Sequence, residues 1–447
     1  MANHSPALSL PADCSWRDVT SLHQFLEDQG TFRFPTLPNG LFSAAAGEGG
    51  DFELTGYRNV WVRDNIHIAH AHWQWGEVDK GVAATRSLMA FFLKHRNRFT
   101  EIIEGRADPS DPMNRPHIRF EGDSLSELNE KWSHAQNDAL GAFLWLASKL
   151  ADECHWNVEE WDLLHQVERF LNTIRFWEDE DSGHWEEVRK VAASSIGVAT
   201  AGLEAWQELQ LRRSNAGDSV DPLRSPNASQ NIRSNSMSDS RARHGEGRQA
   251  LSTILPSECI QADRQKLRRY DSALLFLIYP YRVVSSEMAD QIVAEVRANL
   301  MGEHGIRRYL GDSYWCADYK DKLEASVRTA DFSDNLADRD RLLEPGLEAQ
   351  WCLFDPIVSI HYGLRFERTG EPLDRLRQIE HLNRSLSQLT PPDSSRGAYR
   401  CPESYYRERG RYVPNDICPL LWTQANLKLA LMQLTQQLRD SKPQVQE

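Results

Sequence analysis

Five short segments of this chain set tryptophan or tyrosine beside carboxylates, arginine and amides. They are Tyr57-Arg-Asn-Val-Trp61-Val-Arg63-Asp64-Asn65, Trp132-Ser-His134-Ala-Gln136-Asn137-Asp138, Trp185-Glu186-Glu187, Arg307-Arg308-Tyr309-Leu-Gly-Asp312 and Pro402-Glu403-Ser-Tyr405-Tyr406, with Trp422 downstream. A sugar ring calls for this mixture. Its C–H face packs on an aromatic plane, and charged or amide groups hydrogen-bond its hydroxyls. Hydrolysis of a glycosidic bond adds a pair of carboxyl groups, one to protonate the leaving oxygen and one to activate water or attack. The chain has 65 acidic residues, so no single segment is decisive. Alone, Trp185-Glu186-Glu187 also reads as a solvated helix start with its tryptophan packed inward, and Arg63–Asp64 as a structural ion pair. The set and its order carry the reading.

Other chemistries lack their signatures. There is no GxxxxGK[ST], no GxGxxG after a strand, no HExxH and no GxSxG. His67 and His70 share a helical face, but no third ligand is in register and Trp73 and Trp75 adjoin them, so His67, His70 and His72 read as packing residues and no metal is expected. The seven cysteines are scattered and never form a CxxC pair. That is neither a disulfide framework nor a zinc site, and it suggests reduced thiols and a cytoplasmic protein.

The elements that must position these segments are helical. Val82, Thr85, Met89, Phe92 and Leu93 share a face, as do Leu164, Val167, Leu171 and Ile174, and Met288, Ile292, Val296 and Leu300, with Gly302 placed as a helix terminator. Asn137–Leu150, Ser194–Leu211, Leu347–Leu364, Leu373–Leu389 and Pro419–Leu438 are helix-like too, and Arg307–Leu310 is at most a short strand. This predicts an all-α protein of many medium helices joined by loops rich in Trp, Gly, Pro and Asp. The stretch 213–248, rich in Ser, Asn, Arg and Gly, is expected to be a disordered insertion between the two parts of one domain, 1–212 and 249–438, with a disordered tail over 439–447.

Of the 447 residues, 40% are hydrophobic and 26% charged, a globular balance, and no apolar run is long enough to span a membrane. No secretory signal is visible. The formal net charge of −14 repels phosphate backbones and anionic lipid, so neither nucleic acid nor membrane is expected as a partner.

The motifs, in this order, resemble glycoside hydrolase family 15, the glucoamylase family, and the glucoamylase-like domain of the α and β regulatory subunits of phosphorylase kinase. Trp61-Val-Arg63-Asp64 is similar to the family's W-x-R-D sugar clamp, Trp132 through Gln136-Asn-Asp138 to its Trp and Q-x-D segment, and Trp185-Glu186-Glu187 to its W-E-E acid motif. Arg308-Tyr309 resembles its R-Y loop, Glu403-Ser-Tyr405 its E-x-Y base motif, and Trp422 the aromatic that opens its last inner helix. Val62–Asn65, the spacing of Trp132, His134, Gln136 and Asp138, Ala193–Gly197 and Cys418-Pro419 resemble the phosphorylase kinase branch in particular. One position departs from the secreted glucoamylases: the Asp two residues before W-E-E is Gly183 here, followed by His184.

The resemblance implies an (α/α)6 barrel with its site in a funnel of loops at one end. It implies an inverting exo-acting α-glucosidase that acts on soluble α-glucans or oligosaccharides without a cofactor. Glu186 would be the general acid and Glu403 the general base, with carboxyls roughly 6.5–9.5 Å apart to admit water. Tyr57 would help hold that water, Arg63 and Asp64 would clamp the terminal glucose, and Trp61, Trp132, Gln136, Asp138, Trp185 and Trp422 would line the pocket. Glu187 and Arg308 would bind the next sugar. The phosphorylase kinase side implies an alternative, a glucan-binding regulatory protein of glycogen metabolism with no turnover.

Overall fold

The computed structural model describes residues 8–216, 245–325, 328, 341 and 343–440. The chain enters α1 (Trp16–Asp28) through a capping box between Ser15 and Asp18. There follow α2 (Val62–Gln74), α3 (Val78–Lys94), the short α4 (Asn97–Ile103), α5 (Asn137–Lys149), α6 (Val158–Thr173) and α7 (Ala193–Ala216). After a helix over 245–254 and a 3₁₀ segment, Ser272–Leu277, come α8 (Ser286–Asn299), α9 (Phe354–Thr369), α10 (Pro372–Ser387) and α11 (Leu421–Asp440).

Burial sorts these elements into two layers. α2 is buried from Val62 through His72, and α5 from Asn137 through Ser148, the mark of helices with neighbours on every side. The inner elements touch in a closed ring: α2 on α5, α5 on α7, α7 on Ser272–Leu277, that segment on α9, α9 on α11, and α11 on α2. The outer elements back them, with α3 on α2, α6 on α5, α8 on the 3₁₀ segment, α10 on α9 and α1 on α11. The 245–254 helix lies on α7, where Arg248 grips Glu204 and Gly247 abuts Thr200. This is the (α/α)6 barrel, with a 3₁₀ segment as its fourth inner member.

Two small antiparallel sheets cap the end at which the inner helices begin. One runs β1 (Val60–Trp61), β2 (Arg119–Glu121), β3 (Ser126–Glu127), and the other β4 (Gln350–Trp351), β5 (Ser404–Glu408), β6 (Arg411–Pro414). His67, His70 and His72 all pack. His67 stacks on Trp422 at 4.2 Å, His70 lies against Trp145 at 5.2 Å, and His72 stacks on Phe42 and meets Glu77 at 2.9 Å. Burial pushes His70 down to about 3 and His72 to about 4, so both imidazoles are neutral packing groups.

The sequence reading needs correction at several boundaries. Residues 347–353 are not helical: Gln350–Trp351 pairs with β5 before α9 starts. Gly302 is no helix cap. α8 ends at Asn299 with Leu300 as its cap, and Gly302 gives clearance, since a Cβ there would lie 2.2 Å from the buried Gln350 amide oxygen. Arg307–Leu310 contributes one isolated bridge, from Tyr309 to Asp271, rather than a strand. The expected insertion, 213–248, is helical at both margins, because α7 runs to Ala216 and residues 245–248 belong to the next helix; residues 217–244 lie outside the described residues. Arg439 and Asp440 still belong to α11, and 441–447 lie outside the described residues.

α5 and α7 cross closely, which small residues allow. A Cβ on Gly202 would sit 2.3 Å from the Gly141 carbonyl oxygen, and one on Gly141 would sit 2.4 Å from the Ala199 Cα. Backbone atoms cannot rotate aside, so Gly202→Ala is expected to lose stability near the top of the 1–3 kcal/mol overpacking range, outweighing the helix-propensity gain of about 1 kcal/mol. Urea unfolding checks this, and a stabilised variant would contradict the close crossing.

Candidate active site

The N-terminal ends of the inner helices converge on one cavity, partly open to solvent. Of the residues singled out in the sequence, Tyr57, Trp61, Arg63, Asp64, Trp132, Trp185, Glu186, Arg308, Glu403 and Trp422 line it. Gln136, Asp138 and Glu187 do not, and all three are buried behind the wall. Each is engaged by protein cations, which explains the difference from direct sugar contact.

On one side Arg63, from the first turn of α2, is buried and fully subscribed. Its Nε donates to Asp138 Oδ2 at 2.6 Å, Nη2 to Gln136 and to the Gly183 carbonyl, and Nη1 to the His184 carbonyl and to Glu186 Oε1 at 3.1 Å. The ion pair of Arg63 is therefore with Asp138 and Glu186 rather than with its neighbour Asp64. Where the secreted family members carry a carboxylate, Gly183 offers only its carbonyl to Arg63, and Asp138 supplies the countercharge.

Glu186 follows a 3₁₀ turn, Gly183–Trp185, and holds φ 50° and ψ 47°, a left-handed conformation that costs a non-glycine residue about 1–3 kcal/mol. It is no solvated helix start, since α7 begins at Ala193. Burial raises the Glu186 carboxyl above its ordinary range, and the Arg63 charge and hydrogen bond oppose that rise. Asp64, also buried in the wall, is pushed up to about 7, with the charge of Glu186 adding to desolvation and Arg63 opposing both.

On the other side Glu403 precedes the β5–β6 hairpin, whose Arg409-Gly410 turn has φ 49° and 81°. Both residues take positive φ, as the tight primed hairpin turns require. The hairpin returns Asn415 to Glu403, and Asn415 Nδ2 donates to Oε2 at 2.6 Å. Tyr57 donates its hydroxyl to Oε1 and lies 3.3 Å from the Tyr314 hydroxyl. These donors favour the carboxylate, but burial outweighs them and pushes Glu403 up to about 7. Of the two candidate catalytic carboxyls, Glu403 is hydrogen-bonded by neutral donors and feels the Arg308 charge without touching it, whereas Glu186 touches a guanidinium.

The remaining walls are aromatic. The indole N–H groups of Trp61, Trp132, Trp351 and Trp422 are buried without a protein partner. The three arginines of the cavity each have a carboxylate: Arg63 has Asp138, Arg308 has Asp312 at 2.6 and 2.7 Å, and Arg328 has Asp51 at 2.7 Å. Such a lining suits an uncharged, hydroxyl-rich molecule. Sequence reasoning missed Trp351, Tyr314, Arg328, His184 and Asn415. Trp351 carried a signal, an amide beside an aromatic in Gln350-Trp351, hidden inside a stretch read as helix; Asn415 carried none.

Removing the Arg63 charge leaves Asp138 buried and unpaired, a change that costs about 3–5 kcal/mol. Arg63→Met is expected to lose about that much at neutral pH. Asp138 is held below its ordinary range, where burial is outweighed by Arg63, so its pairing stabilises the fold above the unfolded carboxylate pKa. The gap between wild type and variant should shrink as pH falls through the acid range in which Asp138 protonates. Urea unfolding from pH 7 down to pH 3 measures it, and a pH-independent gap would remove Asp138 from the account.

The sequence model of Glycosyl hydrolases family 15 matches residues 33–439. Among curated proteins the chain is 24% identical over 283 residues to a probable phosphorylase b kinase regulatory subunit alpha of Caenorhabditis elegans, covering 57% of this chain and 21% of that one. It is 24% identical over 290 residues to the skeletal muscle isoform of phosphorylase b kinase regulatory subunit alpha of Oryctolagus cuniculus, covering 58% and 21%. The matches thus cover 21% of the length of these two relatives. Among solved structures, a wild-type glycosidase superposes with a TM-score of 0.61 over 94% of this chain and 98% of its own, at 16% identity. A bacterial glucoamylase complexed with acarbose gives 0.56 over 89% and 53%, at 13% identity. With the family match running through every inner element of the barrel and every wall of the cavity, this chain belongs to glycosyl hydrolases family 15.

Proposed function

We propose that the chain is an inverting exo-acting α-glucosidase that releases glucose from the non-reducing ends of soluble α-glucans and malto-oligosaccharides. The observation that carries this reading is the placement of Glu186 and Glu403 in one cavity that Trp61, Trp132 and Trp422 also line. Glu186 acts as general acid on the glycosidic oxygen. Glu403 acts as general base on a water that Tyr57 helps to hold. Asp64 and Arg308 hold sugar hydroxyls, and Trp61, Trp132 and Trp422 pack on the ring. Gln136 and Asp138 serve the sugar through Arg63, which they orient. All seven cysteines are free and buried, and no described helix is long and apolar enough to cross a membrane. We take the protein to work in the cytoplasm, on a neutral glucan and without a cofactor.

A second reading rests on two observations. The curated relatives are named as regulatory subunits. Arg63 also stabilises the Glu186 carboxylate and so opposes the protonated form that a general acid needs, while burial pushes Glu403, the proposed base, up to about 7. In this reading the cavity binds glucan as a regulatory element of glycogen metabolism and does not cleave it.

Glucose release from maltotriose, with NMR reading the anomer, separates the two. The enzyme reading expects β-glucose from wild type and a fall in kcat of about 10²–10⁴-fold in Glu186→Gln and Glu403→Gln. Maltotriose binding with no turnover in any form would leave the regulatory reading standing. A base must be ionised, so kcat/KM should rise with pH through about 7 as Glu403 loses its proton. Tyr57→Phe deletes a donor to the carboxylate and raises the Glu403 pKa further, so this limb should move about one pH unit upward. An unmoved limb would detach Tyr57 from the base.

A further inference from the structure

Glu186 keeps its left-handed backbone between Trp185, whose ring lines the cavity while its indole N–H is bonded behind it, and Glu187, which is buried behind the wall. Behind the wall, Glu187 is 1% exposed and bonded by Arg268, through Nη1 to Oε1 and Nη2 to Oε2 at 3.0 Å, and by Lys190. Trp185 donates its indole N–H to Asp271 Oδ1 at 2.9 Å, and Asp271 Oδ2 accepts from Arg268 Nη1 at 3.3 Å. Trp185, Asp271, Arg268 and Glu187 therefore close a loop of side-chain bonds around the residue between the two ends, Glu186.

We propose that Arg268 is a positioning residue whose single guanidinium, gripping both flanks of Glu186, holds that carboxyl toward the cavity. The same group reaches the opposite wall. Arg268 lies 3.4 Å over the Tyr309 ring, and Tyr309 bridges Asp271 through the backbone. Ser272 bonds the carbonyls of Arg307 and Arg308 at 2.6 and 2.8 Å, and Arg308 lines the cavity 5.1 Å over Trp185. Arg268 is itself held by paired backbone bonds with Cys259 at 2.9 and 3.1 Å. Its planar fork is what allows one cation to serve Glu187 with two bonds and Asp271 with a third; an ammonium has no such geometry. The second carboxylate of the Trp-Glu-Glu motif thereby anchors the first instead of meeting sugar. A buried ion pair that only stabilised the barrel would have no reason to bracket one cavity residue from both sides.

The kinetic arm of the test rests on the reading of Glu186 as the acid; the structural arm does not. A carboxyl displaced by about 1 Å costs roughly 100-fold in rate. Arg268→Met is expected to lower kcat on maltotriose by about that factor, with KM within threefold of wild type, and crystallography of the variant should find Glu186 outside the left-handed region. Asp271→Asn keeps an acceptor for Trp185 and should retain most of kcat, whereas Asp271→Leu should not. These two variants also decide the matter if Arg268→Met fails to fold. Full kcat in Arg268→Met, equal losses in Asp271→Asn and Asp271→Leu, or Glu186 still near φ 50° in the variant would each overturn the proposal. A wild type without turnover would instead reject the enzymatic reading, and the Glu186 backbone in the Arg268→Met crystal would then decide the clamp alone.

Discussion

A permanently charged group sits where the barrel's inner helices meet. Arg63 cannot shed its proton, so its burial has to be matched by acceptors on every side. They come from three places: Asp138 and Gln136 at the start of α5, the carbonyls of the Gly183–His184 turn, and the Glu186 carboxylate. One guanidinium thus ties α2, α5 and the turn before α7 together at the mouth of the cavity. The end of the barrel cannot close until these segments have met, and once they have, the Glu186 carboxyl has its place.

That same contact sets the electrostatics. Glu186, Asp64 and Glu403 all rise because they are taken from water, but only Glu186 touches a cation. A bound sugar would displace solvent and present an oxygen to Glu186, adding to the desolvation that already raises its carboxyl. Family membership settles the fold and the layout of the walls; which reaction a cavity performs depends on such local balances.

The aromatic walls explain the appetite for tryptophan. Trp61 and Trp132 meet edge to face at 5.6 Å, and Trp422 stacks on His67, a histidine kept neutral by burial. These rings are fixed by their neighbours rather than by their N–H groups, which have no protein partner. The rings supply flat apolar area, and the paired arginines and carboxylates supply polarity without net charge at the arginine positions. That division follows the two faces of a pyranose.

Helical periodicity was readable because each amphipathic stripe records its own burial. So were Trp61 to Asp64, Trp185-Glu186 and Glu403, because their residue types sit adjacent in the chain. The hairpin behind Glu403 and the pairing of β4 were not, since two- to five-residue strands leave no lasting alternation. Nor could the chain tell that Glu187 turns inward to Arg268 or that Asp138 answers Arg63 rather than sugar. A carboxylate beside a tryptophan looks alike whether it faces a ligand or a buried cation. By itself, then, the sequence determined the all-helical class, the acidic surface and the inventory of carboxylates and rings. Tertiary structure alone decided which of those carboxylates are free, because that depends on cations brought from positions 63, 190 and 268 and on how far each group is withdrawn from water.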